Sequence, residues 1–222
     1  MINRLKRFSS ALLRDEGGVS LTEFAVVAPV FITMGLFGLE VSHIATTKMK
    51  VSQIALSLAD NASRLGQNDN SAIIPTISED DVDAVLEGAL IQGRSVNLET
   101  NARVILSSLE VDPPTGRQFI HWQRCIGELD RDSAYGDDDT NNGLSGSTIA
   151  GMGNGANLVT APAGSAVMYV EIHYEYDSII PNPYVEDMGF REEAAFLVRD
   201  DRTLQDSTDP GLVGTPQNDC ST

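Results

Sequence analysis

The chain contains few residues whose type and spacing could support chemistry. Its histidines, His43, His121 and His173, show no metal-ligand spacing to one another. His173 lies between Glu171 and Glu175 in an alternating segment, which favours a surface salt bridge over general-base catalysis. No G-x-S-x-G element provides a setting for a nucleophilic serine. We therefore expect no catalytic residues and a protein that is not an enzyme.

Two segments have the outline of ligand-binding loops but lack the required context. DDDTNNG, residues 137–143, has oxygen-bearing side chains at alternate positions, as a calcium loop does. However, its glycine comes one place late, and Thr148 stands where a bidentate glutamate is needed. GMGNGA, residues 151–156, fits G-x-G-x-x-A, but no strand precedes it and no helix follows. The sequence predicts a solvated acidic turn and a flexible tip, without metal or cofactor.

Glu23 is the residue that needs a chemical explanation. It lies near the start of an apolar segment, and residues 24–39 carry no charge. Counted from Val19, this segment is about 20 residues long, enough to cross a bilayer as a helix. Basic residues precede it and place its N-terminal side in the cytoplasm: Arg4, Lys6, Arg7 and Arg14. A carboxylate inside such a helix is costly, and residues of this kind are usually paired and functional.

The sequence around Glu23 resembles a known family. RDEGGVSLTEFAVVAPVF, residues 14–31, is similar to the processing site of type IV-type prepilins, especially TadE-like proteins of the tight-adherence (Flp) pilus system. The resemblance implies that a prepilin peptidase cuts after Gly18, so that Val19 becomes the first residue and Glu23 the fifth. Cleavage creates an ammonium group at Val19, which can pair with Glu23. The resemblance implies pairing between neighbouring subunits, although residues four apart on one helix can also meet.

The resemblance is strong over about the first 50 residues and softer near the C-terminus. There it consists of Tyr174 and Tyr176, a loop with Pro181 and Pro183, and the sequence REEAAFLVRDDR.

Net charge and cysteine content limit the functions and the compartment that the sequence allows. The chain has 15 basic and 32 acidic residues, a net charge of −17. Such acidity repels nucleic-acid phosphates, so we expect no nucleic-acid partner. Cys125 and Cys220 form no C-x-x-C pair, and in an oxidising compartment they predict a single disulfide.

One long helix is predicted from about Val19 to Leu65, with Gly66 as its C-terminal cap. Pro29 is expected to kink it or open its hydrogen bonding. Beyond the membrane an apolar stripe follows steps of three and four, with Lys48 as an interruption: Val41, Ile44, Val51, Ala55, Leu58, Ala62 and Leu65. This stem could bury its stripe against its own domain or against a partner helix.

The remaining residues predict a domain of the α+β class. Ser78 caps a helix with an acidic first turn. Strands are predicted at residues 103–111, 117–126, 166–177 and 194–199, which suggests an antiparallel sheet packed on helix. In the third strand Met168 to Tyr176 at even positions should be buried, while Tyr169 to Asp177 at odd positions should be wetter. Residues 127–164 are rich in Gly, Asn and Asp and predict a long, exposed, flexible loop. Trp122 is expected in a core or an interface.

These expectations combine into one hypothesis. Residues 1–18 form a prepilin-type leader, residues 19–66 a transmembrane and stem helix, and residues 67–222 an extracytoplasmic domain. The protein is then a minor pilin-like component of a tight-adherence pilus, with the inner membrane, a prepilin peptidase, other pilins and the assembly platform as partners. Its topology is single-pass, with a cytoplasmic N-terminus and a periplasmic or extracellular C-terminal domain. The alternative is a membrane-anchored binding or adhesin module that does not enter a pilus.

Overall fold

The computed structural model describes residues 17–66, 76–155, 157–180, 188–199 and 211–220. The basic leader residues and the Pro181–Pro183 loop lie outside this described part. The chain divides into two compact units, Met1–Ile44 and Ala45–Thr222. Each unit is described by itself.

Helix α1 spans Gly17–Ser63 and begins two residues before the predicted start. The helix continues through Pro29, although proline has no backbone N–H to donate to the preceding turn. In the first unit its apolar side chains are exposed: Phe24 is 70% accessible and Phe31 69%. This part of the helix therefore carries many large apolar side chains whose exposure to water would be unfavourable.

The stem in the second unit behaves in the opposite way. Its stripe is buried within that unit, and Val51, Ala55, Leu58 and Ala62 are each at most 2% exposed. The structure thus buries the stem against its own domain, one of the two arrangements the sequence allowed. Gly66 follows the helix with φ of 90°, a left-handed conformation that glycine adopts at low cost.

Helix α2, Glu79–Gln92, follows from its predicted cap. The Ser78 hydroxyl accepts a hydrogen bond from the Asp81 N–H at 3.2 Å, and the Asp81 carboxylate accepts one from the Ser78 N–H at 3.2 Å. This capping box satisfies two backbone donors at once. A short 3-10 helix at Gly93–Val96 and helix α3 at Leu98–Asn101 then lead into the sheet.

Four antiparallel strands form one sheet in the order β2-β1-β3-β4. They are β1 Ala102–Val111, β2 Gln118–Ile126, β3 Val167–Glu175 and β4 Gly189–Leu197. The first three agree closely with the predicted strands. The predicted start of β4 at residue 194 is wrong by five residues, because polar Arg191 to Glu193 also pair with β3. The α+β class and the antiparallel sheet are confirmed.

The helices of the second unit lie on one face of this sheet. The face carries Met168, Val170 and Ile172, all fully buried. From the same face, the Tyr174 hydroxyl donates to the Val96 carbonyl at 2.7 Å. Lys48, the interruption in the stem stripe, forms an ion pair with Glu192 of β4 at 3.5 Å.

The opposite face is the wetter face that the alternation of β3 predicts only toward the end of the strand, where His173 is half-buried and Glu175 and Asp177 are exposed. Tyr169 is 2% exposed and Glu171 is fully buried. Parts of residues 127–155 and 157–164 lie over the buried end of this face. Met152, at the supposed flexible tip, is fully buried in a cluster with Leu109, Ile120, Ala161, Val167 and Tyr169. Most of the described residues in this segment are exposed or half-buried, as predicted, but Met152 and Ala161 supply part of the core.

Candidate assembly site

The residues of the predicted processing site lie on the first turns of α1. Gly18, Val19 and Glu23 are all exposed, and a Cβ added at Gly18 would meet nothing within 4 Å. Val19 and Glu23 are four residues apart, so both lie on one side of the helix. In the uncut chain the Val19 nitrogen belongs to a peptide bond, so it is not a cation for Glu23. The structure records no ion pair for Glu23 among the described residues.

The surroundings of Glu23 are apolar. The helix is long and apolar enough to cross a membrane, with a mean hydropathy of 2.0 over its best 18-residue window. Residues 19–39 extend over about 31 Å at the rise of an α-helix, which matches a hydrocarbon core of about 30 Å. Glu23 lies about 6 Å inside one end of this span. A carboxylate at that depth needs a cation or a hydrogen-bond donor.

Cys125 and Cys220 form a disulfide, with 4.9 Å between their Cα atoms. Cys125 lies on β2, at the edge of the sheet, and Cys220 lies in the last described segment. Both cysteines belong to the second unit, so the bond links parts of one domain.

A buried ion pair on the same edge was not foreseen from the sequence. Arg124 of β2 donates to both carboxylate oxygens of Glu79, at 2.9 and 2.6 Å. Burial alone would lower the pKa of Arg124, but Glu79, Asp138 and Asp219 raise it above its ordinary value. The position of Glu79 in the first turn of α2 suggested only an interaction with the helix dipole, and no local signal pointed to Arg124.

Glu171, buried beneath the covering segment, is a second polar centre. It accepts hydrogen bonds from the Ser133 hydroxyl at 2.5 Å and the Ala134 N–H at 3.1 Å. The predicted contact with His173 is looser, at 3.7 Å from His173 Nε2 to Glu171 Oε1. These contacts hold the covering segment on the sheet.

The histidines do not converge on a site. His121 Nδ1 lies 2.9 Å from Glu110 Oε2, and both side chains are buried. Within the described residues no group of three His, Cys, Asp or Glu side chains is arranged to hold a metal ion.

The acidic turn at residues 137–143 is closed by its own backbone. The Asp137 carboxylate accepts hydrogen bonds from the N–H groups of Asp139, Thr140 and Asn141 at 2.7–3.0 Å. Burial would raise the pKa of Asp137, but these backbone donors outweigh it and lower the pKa below its ordinary value. Asp138 accepts from the Gln123 N–H at 2.8 Å. These carboxylates therefore already hold protein donors.

Comparison with known proteins supports the N-terminal interpretation. The family model described as TadE-like protein matches residues 18–60, about a fifth of the chain. No curated protein and no solved structure matches the chain significantly. The matched residues begin at Gly18 and include Val19, Glu23, the apolar span and most of the stem. The softer resemblance beyond residue 170 lies outside the match. Residues 18–60 are therefore similar to the TadE-like family, and they contain the apolar segment that is long enough to cross a membrane.

Proposed function

We propose that the protein is a minor pilin-like subunit of a tight-adherence pilus, cut after Gly18 by a prepilin peptidase. The observation that carries the proposal is the placement of Glu23. It is an exposed carboxylate inside an apolar, membrane-length helix that begins at the matched Gly18. Its role is structural, in assembly, and not enzymatic.

Cleavage supplies the cation that Glu23 lacks in the uncut chain. A free ammonium at Val19 would stand at the positive end of the helix dipole, where a cation is disfavoured. A carboxylate within reach relieves both problems, because it pairs with the ammonium and complements the dipole. Pairing across subunits fixes the axial position of one helix against the next. The bare apolar surface around Glu23, including Phe24 and Phe31, provides the contact area for such packing.

The second unit is expected to face outward as a folded domain. It buries its own stem stripe and sheet, so it does not need a partner helix for stability. The structure gives it no exposed apolar surface comparable to that of the first unit within the described residues. We assign it to the extracytoplasmic side, in agreement with the predicted orientation.

The proposal is tested with substitutions at Glu23 in cells that make the pilus. Glu23→Ala should insert into the membrane at least as well as the native chain, since a costly charge is removed. Assembly should fall, because a neighbour's ammonium is left unpaired at low dielectric, at a cost of about 3–5 kcal/mol. Glu23→Gln keeps the shape of the side chain and a hydrogen-bond acceptor but removes the charge, so it shows whether assembly depends on the charge itself. Glu23→Lys should be the most harmful, since it places two cations together.

Piliation and co-purification with other pilus components are measured at matched protein level. Thr22→Ala, next to Glu23 and also exposed, is the control for replacing a polar side chain with alanine at this depth. Normal piliation of Glu23→Ala would show that the carboxylate is incidental. The chain would then be better described as a membrane-anchored binding module outside the pilus.

A further inference from the structure

The last described segment, residues 211–220, lies across the start of α2 and the free edge of β2. We call it the C-terminal strap. Its first contact is a two-way backbone pairing: the Val213 N–H donates to the Ile77 carbonyl, and the Val213 carbonyl accepts from the Glu79 N–H, both at 3.0 Å. The Glu79 N–H belongs to the first turn of α2, where no intrahelical acceptor exists. The strap therefore completes the start of this helix.

The second contact of the strap is with β2. The Cys125 N–H donates to the Asn218 carbonyl at 2.8 Å, so the strap pairs with the outer edge of β2 at this point. The Asn218 amide also donates to Asp83 at 2.7 Å. The adjacent disulfide to Cys220 closes this end covalently.

The strap covers groups that would otherwise be open to water. Gly211 lies so close to Trp122 that an added Cβ would stand 2.9 Å from Trp122 Cδ1. Trp122, the only tryptophan in the chain, is 3% exposed. Release of the strap would uncover the indole and the β2 edge beside Arg124.

Little apolar burial holds the strap in place. Of its ten residues, Leu212 is the one that is buried, and the others are exposed or partly exposed. Its other contacts are polar and include those of Val213 and Asn218, a hydrogen bond from Gln217 to Asp80 and one from Arg103 to the Cys220 carbonyl. Hydrogen bonds to water can replace such contacts at a small net cost for each. Ordering ten residues has a large entropic cost that these contacts do not match. The covalent bond is thus the element on which the closed position depends.

We propose that the Cys125–Cys220 disulfide is a redox latch that closes the C-terminal strap after export. In the reduced chain the two thiols are separate, the strap leaves β2 and the start of α2, and the four-stranded sheet remains folded. Closure forms one S–S bond as the two thiols lose two protons and two electrons. The acceptor is the disulfide of a thiol–disulfide oxidoreductase, which becomes a dithiol. The strap is open in a reducing cytoplasm and closed in the oxidising compartment.

Trp122 reports the state of the strap directly. The full chain is purified in neutral detergent, and its emission and acrylamide quenching are recorded before and after reduction, with thiol titration to verify that reduction is complete. We expect a red-shifted emission maximum and a larger quenching constant in the reduced chain. Hydrogen exchange at the Glu79 and Cys125 amides should accelerate at least roughly tenfold, while the Leu106 and Val170 amides in the sheet keep their protection.

The Cys125→Ser/Cys220→Ser double variant is the matched control. Without reductant it should already show the reduced-chain fluorescence and exchange, and reductant should change nothing further. The proposal is overturned if Trp122 quenching and the two strap-linked amides are unchanged after complete reduction. It is equally overturned if Leu106 and Val170 lose protection together with them, because the strap would then not move separately from the sheet.

Discussion

The two units of the chain differ in how far the apolar side chains of α1 are exposed. In the first, large apolar groups such as Phe24, Phe31 and Ile32 are at least 60% exposed. In the second, the stem residues Val51 and Leu58, on the same helix, are at most 2% exposed. One continuous α1 thus carries a surface that needs lipid or other subunits and a surface that its own domain completes. The TadE-like match, over residues 18–60, lies entirely on this helix and covers parts of both surfaces.

The largest effect on the second unit alone should come from its buried ion pair. Glu79→Ala leaves Arg124 buried with Asp138 as its remaining close carboxylate, at 3.2 Å. We expect the free energy of unfolding to fall by about 3–5 kcal/mol, because a buried charge that loses its two-point partner is costly. Urea unfolding of the full chain in detergent measures this. Glu87→Ala, exposed on the same helix α2, should change it by less than about 0.5 kcal/mol. Equal effects of the two variants would refute the role assigned to the pair.

The contrast along α1 can be tested with single truncations. Leu58→Ala removes a side chain that is 2% exposed and should lower the free energy of unfolding by about 2–5 kcal/mol. Phe31→Ala removes a larger side chain that is 69% exposed, and should leave unfolding of the second unit unchanged. Leu56→Ala, 48% exposed on the stem, controls for helix propensity. A large destabilisation by Phe31→Ala would mean that the two surfaces are not distinct.

The smallest expected effect concerns the acidic turn. Asp137→Ala removes an acceptor for three backbone N–H groups and should cost about 1 kcal/mol, as loss of a helix cap does. Because the folded pKa of Asp137 is lowered, its contribution is present above the unfolded pKa and is lost as pH falls through the folded pKa. The difference between Asp137→Ala and the native chain should therefore shrink in acid. Asp139→Ala, at an exposed neighbour, should change the free energy of unfolding by less than about 0.5 kcal/mol, and equal losses in both variants would argue against this mechanism.

Local patterns predicted the elements, and contacts distant in sequence decided the rest. A helix cap at Ser78, a terminating glycine at Gly66 and the alternation in β3 are signals that span only a few residues. The helix ends and the strand lie where these signals predict them. The prediction of a wetter face failed at Tyr169 and Glu171 only, and at Glu171 the reason is hydrogen bonding to Ser133 and Ala134, nearly 40 residues away. No periodicity encodes that contact.

The candidate site divides in the same way. The apolar span and Glu23 can be identified from the sequence, since membrane crossing depends on composition and length. The C-terminal strap could not be foreseen beyond its disulfide, because pairing of Val213 with Ile77 and Glu79 depends on how the whole domain closes.

The N-terminal residue of the protein recovered from membranes tests the central claim most directly. In cells that make a prepilin peptidase, intact-mass and N-terminal peptide analysis should find a chain that begins at Val19. Gly18→Arg should yield the longer precursor in the same membranes. A native chain that retains residues 1–18 under these conditions would contradict the account, because Glu23 would then have no Val19 ammonium to bind.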